Sequence, residues 1–170
     1  MLAIAQVMRQ MRCILQGKML ALEKAADSTN TEDLKRMTFL KNTWYVAAQA
    51  SELDEPMVSR MIGGEQVLMF RKANGDVAAI QDRCPHRFVP LSMGKRVEDT
   101  IQCGYHGLRF DGSGACVDAP HDDDSQKARA CIKGYAVVER HKWIWIWMGD
   151  AAQANPDLIP DFGFFDDEQT

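Results

Sequence analysis

Apolar positions in this chain follow two rhythms. Over residues 1–26, Ile4, Val7, Met8, Met11, Ile14, Leu15 and Leu22 recur near helical spacing, with Arg9, Arg12 and Lys18 between them. That spacing predicts an amphipathic helix. Asp27 to Thr31 is a polar break and reads as a linker. No acid precedes Glu23, as in a transit peptide, yet the serine content of one is missing. The stretch reads as a loosely attached helix, or as sequence upstream of a natural start at Met37-Thr38-Phe39.

From Phe39 the apolar runs become short and rich in β-branched and aromatic residues. Thr43–Val46, Val58–Ile62, Gln66–Arg71 and Val77–Gln81 are predicted strands. A turn is expected at Leu53–Pro56, and Gly63-Gly64 ends the second strand. Asn74-Gly75 is a strong hairpin signal, because both residues tolerate positive φ. Leu108–Phe110 and Ala115–Val117 pair across the turn Asp111–Gly114, and Tyr135–Glu139 and Lys142–Met148 follow. The last of these, Trp143-Ile-Trp-Ile-Trp-Met148, is apolar on both faces and belongs in an interior. Each tryptophan buries roughly 200 Å², on the order of 5 kcal/mol before ordering costs. Core packing therefore explains these rings better than an electron path. Many short strands with Gly-rich turns predict an all-β sandwich or barrel-like fold. The expected layout is a helical extension and linker over 1–37, a β domain over 38–163 and a tail over 164–170.

Composition narrows the class. The 170 residues suit one domain with a real core, at a formal net charge of −4. No basic stripe suits nucleic acid, and no apolar run approaches the ~20 residues of a membrane span. The five cysteines, Cys13, Cys84, Cys103, Cys116 and Cys131, are odd in number, which argues against a disulfide framework. Cysteine clustered with histidine points to metal in a reducing compartment, and cytoplasm is the expected location.

The chemistry gathers between Cys84 and His106. Cys84-Pro85-His86 and Cys103-Gly104-Tyr105-His106 are separated by sixteen residues and form the pattern C-x-H…C-x-x-H. Each loop contributes one thiolate and one imidazole. A [2Fe–2S] centre with two Cys on one iron and two His on the other needs this set. Structural zinc also accepts Cys₂His₂, but such sites usually keep Cys with Cys and His with His. Gly94, Gly104 and Gly107 crowd the loops, and glycine lets backbone N–H groups approach bridging sulfides.

Residues Cys84–Gly94 (CPHRFVPLSMG) and Gln102–Gly112 (QCGYHGLRFDG) resemble the Rieske domain of Rieske non-haem iron oxygenases. Asn42–Ala48, Trp145–Asp150 and Pro156–Asp161 are similar to the vanillate O-demethylase and dicamba monooxygenase branch. The resemblance covers roughly residues 38–163. It implies the Rieske fold, an antiparallel β-sandwich with a small two-loop cluster-binding subdomain. It also implies a [2Fe–2S] cluster with Cys84 and Cys103 on the inner iron and His86 and His106 on the outer. A flavin or ferredoxin-type reductase would supply electrons, and a mononuclear non-haem iron would receive them, in a homotrimer. Respiratory Rieske proteins carry an extra loop-to-loop disulfide; Val89 and Tyr105 stand at the matching positions here. Leu108 and Phe110 also lack the hydroxyls found there, so a low potential is expected. Gly104 departs from the branch, where Pro is common, and is expected to loosen the loop.

A mononuclear oxygenase iron needs two further His and a carboxylate. Only His121 and His141 remain, on separate segments, and His121 precedes Asp122-Asp123-Asp124, most simply a solvated turn. The chain alone is therefore expected to transfer electrons rather than oxygenate. A stand-alone Rieske-type ferredoxin and a zinc-stabilised binding module are the other readings. The resemblance says nothing of substrate.

Overall fold

The computed structural model describes residues 39–120 and 130–165. The expected N-terminal helix, the His121 acidic run and the end of the tail lie outside these residues. Within them the chain is all β, joined by short turns and single-turn 3₁₀ segments.

Eleven strands appear among the described residues: β1 (Thr43–Gln49), β2 (Val58–Ile62), β3 (Glu65–Arg71), β4 (Val77–Gln81), β5 (Lys95–Val97), β6 (Thr100–Gln102), β7 (Arg109–Asp111), β8 (Cys116–Asp118), β9 (Gly134–Tyr135), β10 (Val137–Arg140) and β11 (Trp143–Met148). They form three antiparallel sheets, ordered β1-β11-β10, β2-β3-β4-β9 and β5-β6-β7-β8. The Asn74-Gly75 turn joins β3 to β4 with Arg71 opposite Val77. The predicted turn at Leu53 is instead a 3₁₀ turn over Ala50–Asp54 that buries Leu53. The expected strand Tyr135–Glu139 is split: Tyr135 pairs with β4, while Val137 onward pairs with β11. One chain segment thereby serves two sheets.

The second sheet lies between two cores. Val67, Met69 and Ala79 face one, with Ile144, Ile146 and Met148 of β11. Leu68, Phe70, Ala78 and Ile80 face the other, with Leu91, Ile101, Leu108 and Phe110 of the third sheet's subdomain. Side chains alternate across a strand, so the continuous run Val67-Leu68-Met69-Phe70 is what a middle layer requires. Cys84 and Cys103 belong to the second core.

β11 is central in its sheet, as its two apolar faces predict. Ile144, Ile146 and Met148 point inward, and Trp145 and Trp147 are covered on the outside. Trp147 meets Trp44 edge to face at 5.4 Å, and Trp145 stacks on Phe162 at 6.0 Å. Trp44 Nε1 donates to the Asn155 carbonyl and Trp147 Nε1 to the Asp150 carbonyl, both at 2.8 Å. The segment after β11 is a strap over this face, which confirms a packing role for the rings.

Candidate metal centre

The four candidate ligands come from two loops built alike. Loop one leaves β4 and runs Cys84–Val89; loop two leaves β6 and runs Cys103–Leu108. In each, the Cys N–H donates to the carbonyl five residues on: Cys84 to Val89 at 2.9 Å and Cys103 to Leu108 at 2.8 Å. In each, the residue four on donates back to the Cys carbonyl: Phe88 to Cys84 at 2.9 Å and Gly107 to Cys103 at 3.2 Å. That fourth residue is left-handed in both, with φ 60° at Phe88 and 78° at Gly107. Glycine takes this conformation without strain; Phe88 takes it with its ring exposed beneath the Arg83 guanidinium, 4.1 Å from the ring centre.

The loops meet through backbone. A Cβ on Gly94 would overlap the Gln102 carbonyl oxygen, and one on Gly104 would stand 3.0 Å from the Met93 carbonyl. Gly94 therefore lets the two loops close on each other, and Gly104 lies at the same contact.

This places the donors in two layers. Cys84 and Cys103 are buried, at 2% and 3% exposure, and their thiols lie side by side. His86 and His106 stand above them toward solvent, ring centres 4.5 Å apart, with the Tyr105 ring against His106 at 3.9 Å. Burial, reinforced by the Cys103 thiol, pushes the Cys84 thiol above its usual range, although the His86 and Arg87 amides donate toward its sulfur. Without a cation two adjacent buried thiolates are costly, and metal removes that cost by replacing the protons. Among the described residues no three Cys, His, Asp or Glu donors converge as a single ion needs. The four are a thiol pair and an imidazole pair.

Sequence reasoning missed Asp82, two residues before Cys84. It is the one buried charged residue among those described, at 5% exposure. Its Oδ1 accepts from Ser92 N–H at 2.7 Å, and its Oδ2 accepts from the Ser92 and Ser59 hydroxyls at 2.6 Å each. An acid two residues after the apolar run Ala78-Ala79-Ile80 was the available signal. His141 lies elsewhere, half-buried in the β10–β11 turn with Nε2 3.3 Å from Asp161 Oδ1.

Comparison with known proteins decides the family. The model of the Rieske [2Fe-2S] domain matches residues 43–136, from the first residue of β1 to just past β9. The chain belongs to the Rieske [2Fe-2S] domain family. Over 127 residues this Rieske chain is 50% identical to the oxygenase component of dicamba O-demethylase from Stenotrophomonas maltophilia, covering 75% of this chain and 38% of that protein. It is 42% identical over 123 residues to the vanillate O-demethylase oxygenase subunit of Pseudomonas sp. (strain HR199 / DSM 7063), covering 71% and 34%. The crystal structure of dicamba monooxygenase bound to dicamba superposes with a TM-score of 0.73 at 48% identity, over 77% of this chain and 39% of that one. The chain thus spans less than two-fifths of the length of these relatives.

The donor set fits the family's cluster. Two soft sulfurs side by side at depth and two imidazoles facing each other above them suit two irons, one with each ligand type. The His86 and Arg87 backbone amides point at the Cys84 sulfur. No helix among the described residues is long and apolar enough to cross a membrane.

Proposed function

We propose that Cys84 and Cys103 hold the inner iron of a [2Fe–2S] cluster, that His86 and His106 hold the outer, and that residues 38–163 are an electron-transfer domain of an aromatic-compound oxygenase or demethylase system. The single observation that carries this is the two-layer donor set on two loops with one shared hydrogen-bond pattern. The cluster supplies reversible one-electron chemistry. The chain's own residues do the rest. The buried cysteines keep the inner end away from water, and the imidazoles at the surface give a short outward route for the electron. The close loop contact at Gly94 and Gly104 holds the seat rigid, so little rearranges on reduction. Electrons come from a flavin or ferredoxin-type reductase and go to a mononuclear iron outside these residues, in a cytoplasmic homotrimer. Relatives named as oxygenase components of dicamba and vanillate O-demethylases support the oxygenase setting.

Iron, labile sulfide and visible and paramagnetic-resonance spectra of the reconstituted chain test the proposal. Two irons and two sulfides per chain are expected, with a Rieske-type signal on reduction. Cys84→Ser and His106→Ala should each abolish the visible absorbance. Stoichiometric zinc in place of iron, or an unchanged spectrum in both variants, refutes the ligand assignment.

A further inference from the structure

We propose that Asp82 is a positioning residue whose buried, unpaired negative charge beside the ligand loops holds the cluster's reduction potential low; this rests on the ligand assignment above. Burying a carboxylate is costly unless donors satisfy it. Here Ser92 N–H and the two hydroxyls do so, and no described Lys, Arg or His forms an ion pair with it. The donors satisfy the oxygens without cancelling the charge. Asp82 is two residues from Cys84. Its other tie, Ser92, sits in the Leu91–Met93 turn that leads into Gly94, against loop two. The carboxylate is thus buried, two residues from one ligand and tied to the turn that packs on the other loop. An electron added to the cluster meets a charge screened less than an exposed one. The neighbouring cations Arg83 and Arg87 are exposed, so solvent screens them.

A plain tether between β2 and the Leu91–Met93 turn would account for the same hydrogen bonds, and the potential separates the two roles. In the full reconstituted chain, Asp82→Asn deletes the charge and keeps the outline. Its carbonyl still accepts from Ser92 N–H, and the serine hydroxyls can turn to accept from its amide. Ser59→Lys keeps Asp82 and brings a cation to Oδ2 from the exposed strand β2. Charge control predicts that both variants move the midpoint potential positive, with the Rieske spectrum retained. A tether predicts cluster loss or an unmoved midpoint. An unchanged or more negative midpoint in either cluster-bearing variant overturns the inference. If Asp82→Asn takes up no cluster, Ser59→Lys decides alone; if neither takes one up, the tether stands and the inference falls. A wild-type chain without a Rieske spectrum fails the ligand assignment itself. A normal wild-type spectrum with unmoved variants fails only the role of Asp82.

Discussion

Gly94 shows how much a single Cβ matters. Alanine there would drive into the Gln102 carbonyl oxygen, which is backbone and cannot swing aside. Gly94→Ala is expected to part the loops and cut cluster occupancy to a small fraction of wild type, read as visible absorbance per chain. Gly75→Ala is the contrast, since its Cβ meets nothing within 4 Å and only its φ of 91° is strained; it should cost on the order of 1 kcal/mol and leave the cluster intact. Redox poise is also set by individual residues. Val89 and Tyr105 carry no thiol, so no disulfide joins the loops at these positions. Leu108 and Phe110 are core side chains without hydroxyls, and the His86 and Arg87 amides are the donors directed at Cys84 sulfur. A midpoint near the low end of the Rieske range, about −150 mV, is expected, and a clearly positive value in a redox titration would contradict it.

Elements differ in how far the sequence revealed them. Strands β2 and β4 stand where the short apolar runs and flanking turns placed them, and β11 was legible because Trp143–Met148 is apolar on both faces. Strands β5 and β6 were not foreseen. Each has three residues, and Lys95-Arg96-Val97 carries one apolar side chain, too little for a period to register. What makes it a strand is pairing with Thr100–Gln102, a tertiary cause. The proposed ligand quartet was legible as a Cys–His pattern because its spacing is local. Asp82 was not, because its meaning depends on Ser59 and Ser92 coming from other elements. A second polar tie joins β3 to β9. Glu65 accepts from Tyr135 Oη at 2.7 Å and from Lys133 Nζ at 2.7 Å. Burial pushes the Glu65 carboxyl up, but the Lys133 and Tyr135 hydrogen bonds and the Lys133 charge outweigh it and leave it below 4.5. A lowered carboxylate stabilises the fold above its unfolded value, and that contribution is lost as pH falls through the folded one. Glu65→Gln should therefore flatten the acid limb of the stability curve below about pH 4.5, measured by denaturant titration.

The described residues form a three-sheet stack in which the middle sheet belongs to both cores. Deleting a ring from either core should be felt throughout. Phe110→Ala, at a site with no solvent exposure, is expected to cost about 3–5 kcal/mol in global stability. Chemical denaturation checks it. The shared sheet also means that the ligand loops and the β1-β11-β10 sheet should unfold together. The protein supplies its own means of seeing this. All four tryptophans, Trp44, Trp143, Trp145 and Trp147, lie in that one sheet. Ultraviolet emission therefore reports the strapped end of the stack, while visible colour would report the loops at the other. Each half carries a separate optical label that needs no engineering, and a single heating run can follow both at once.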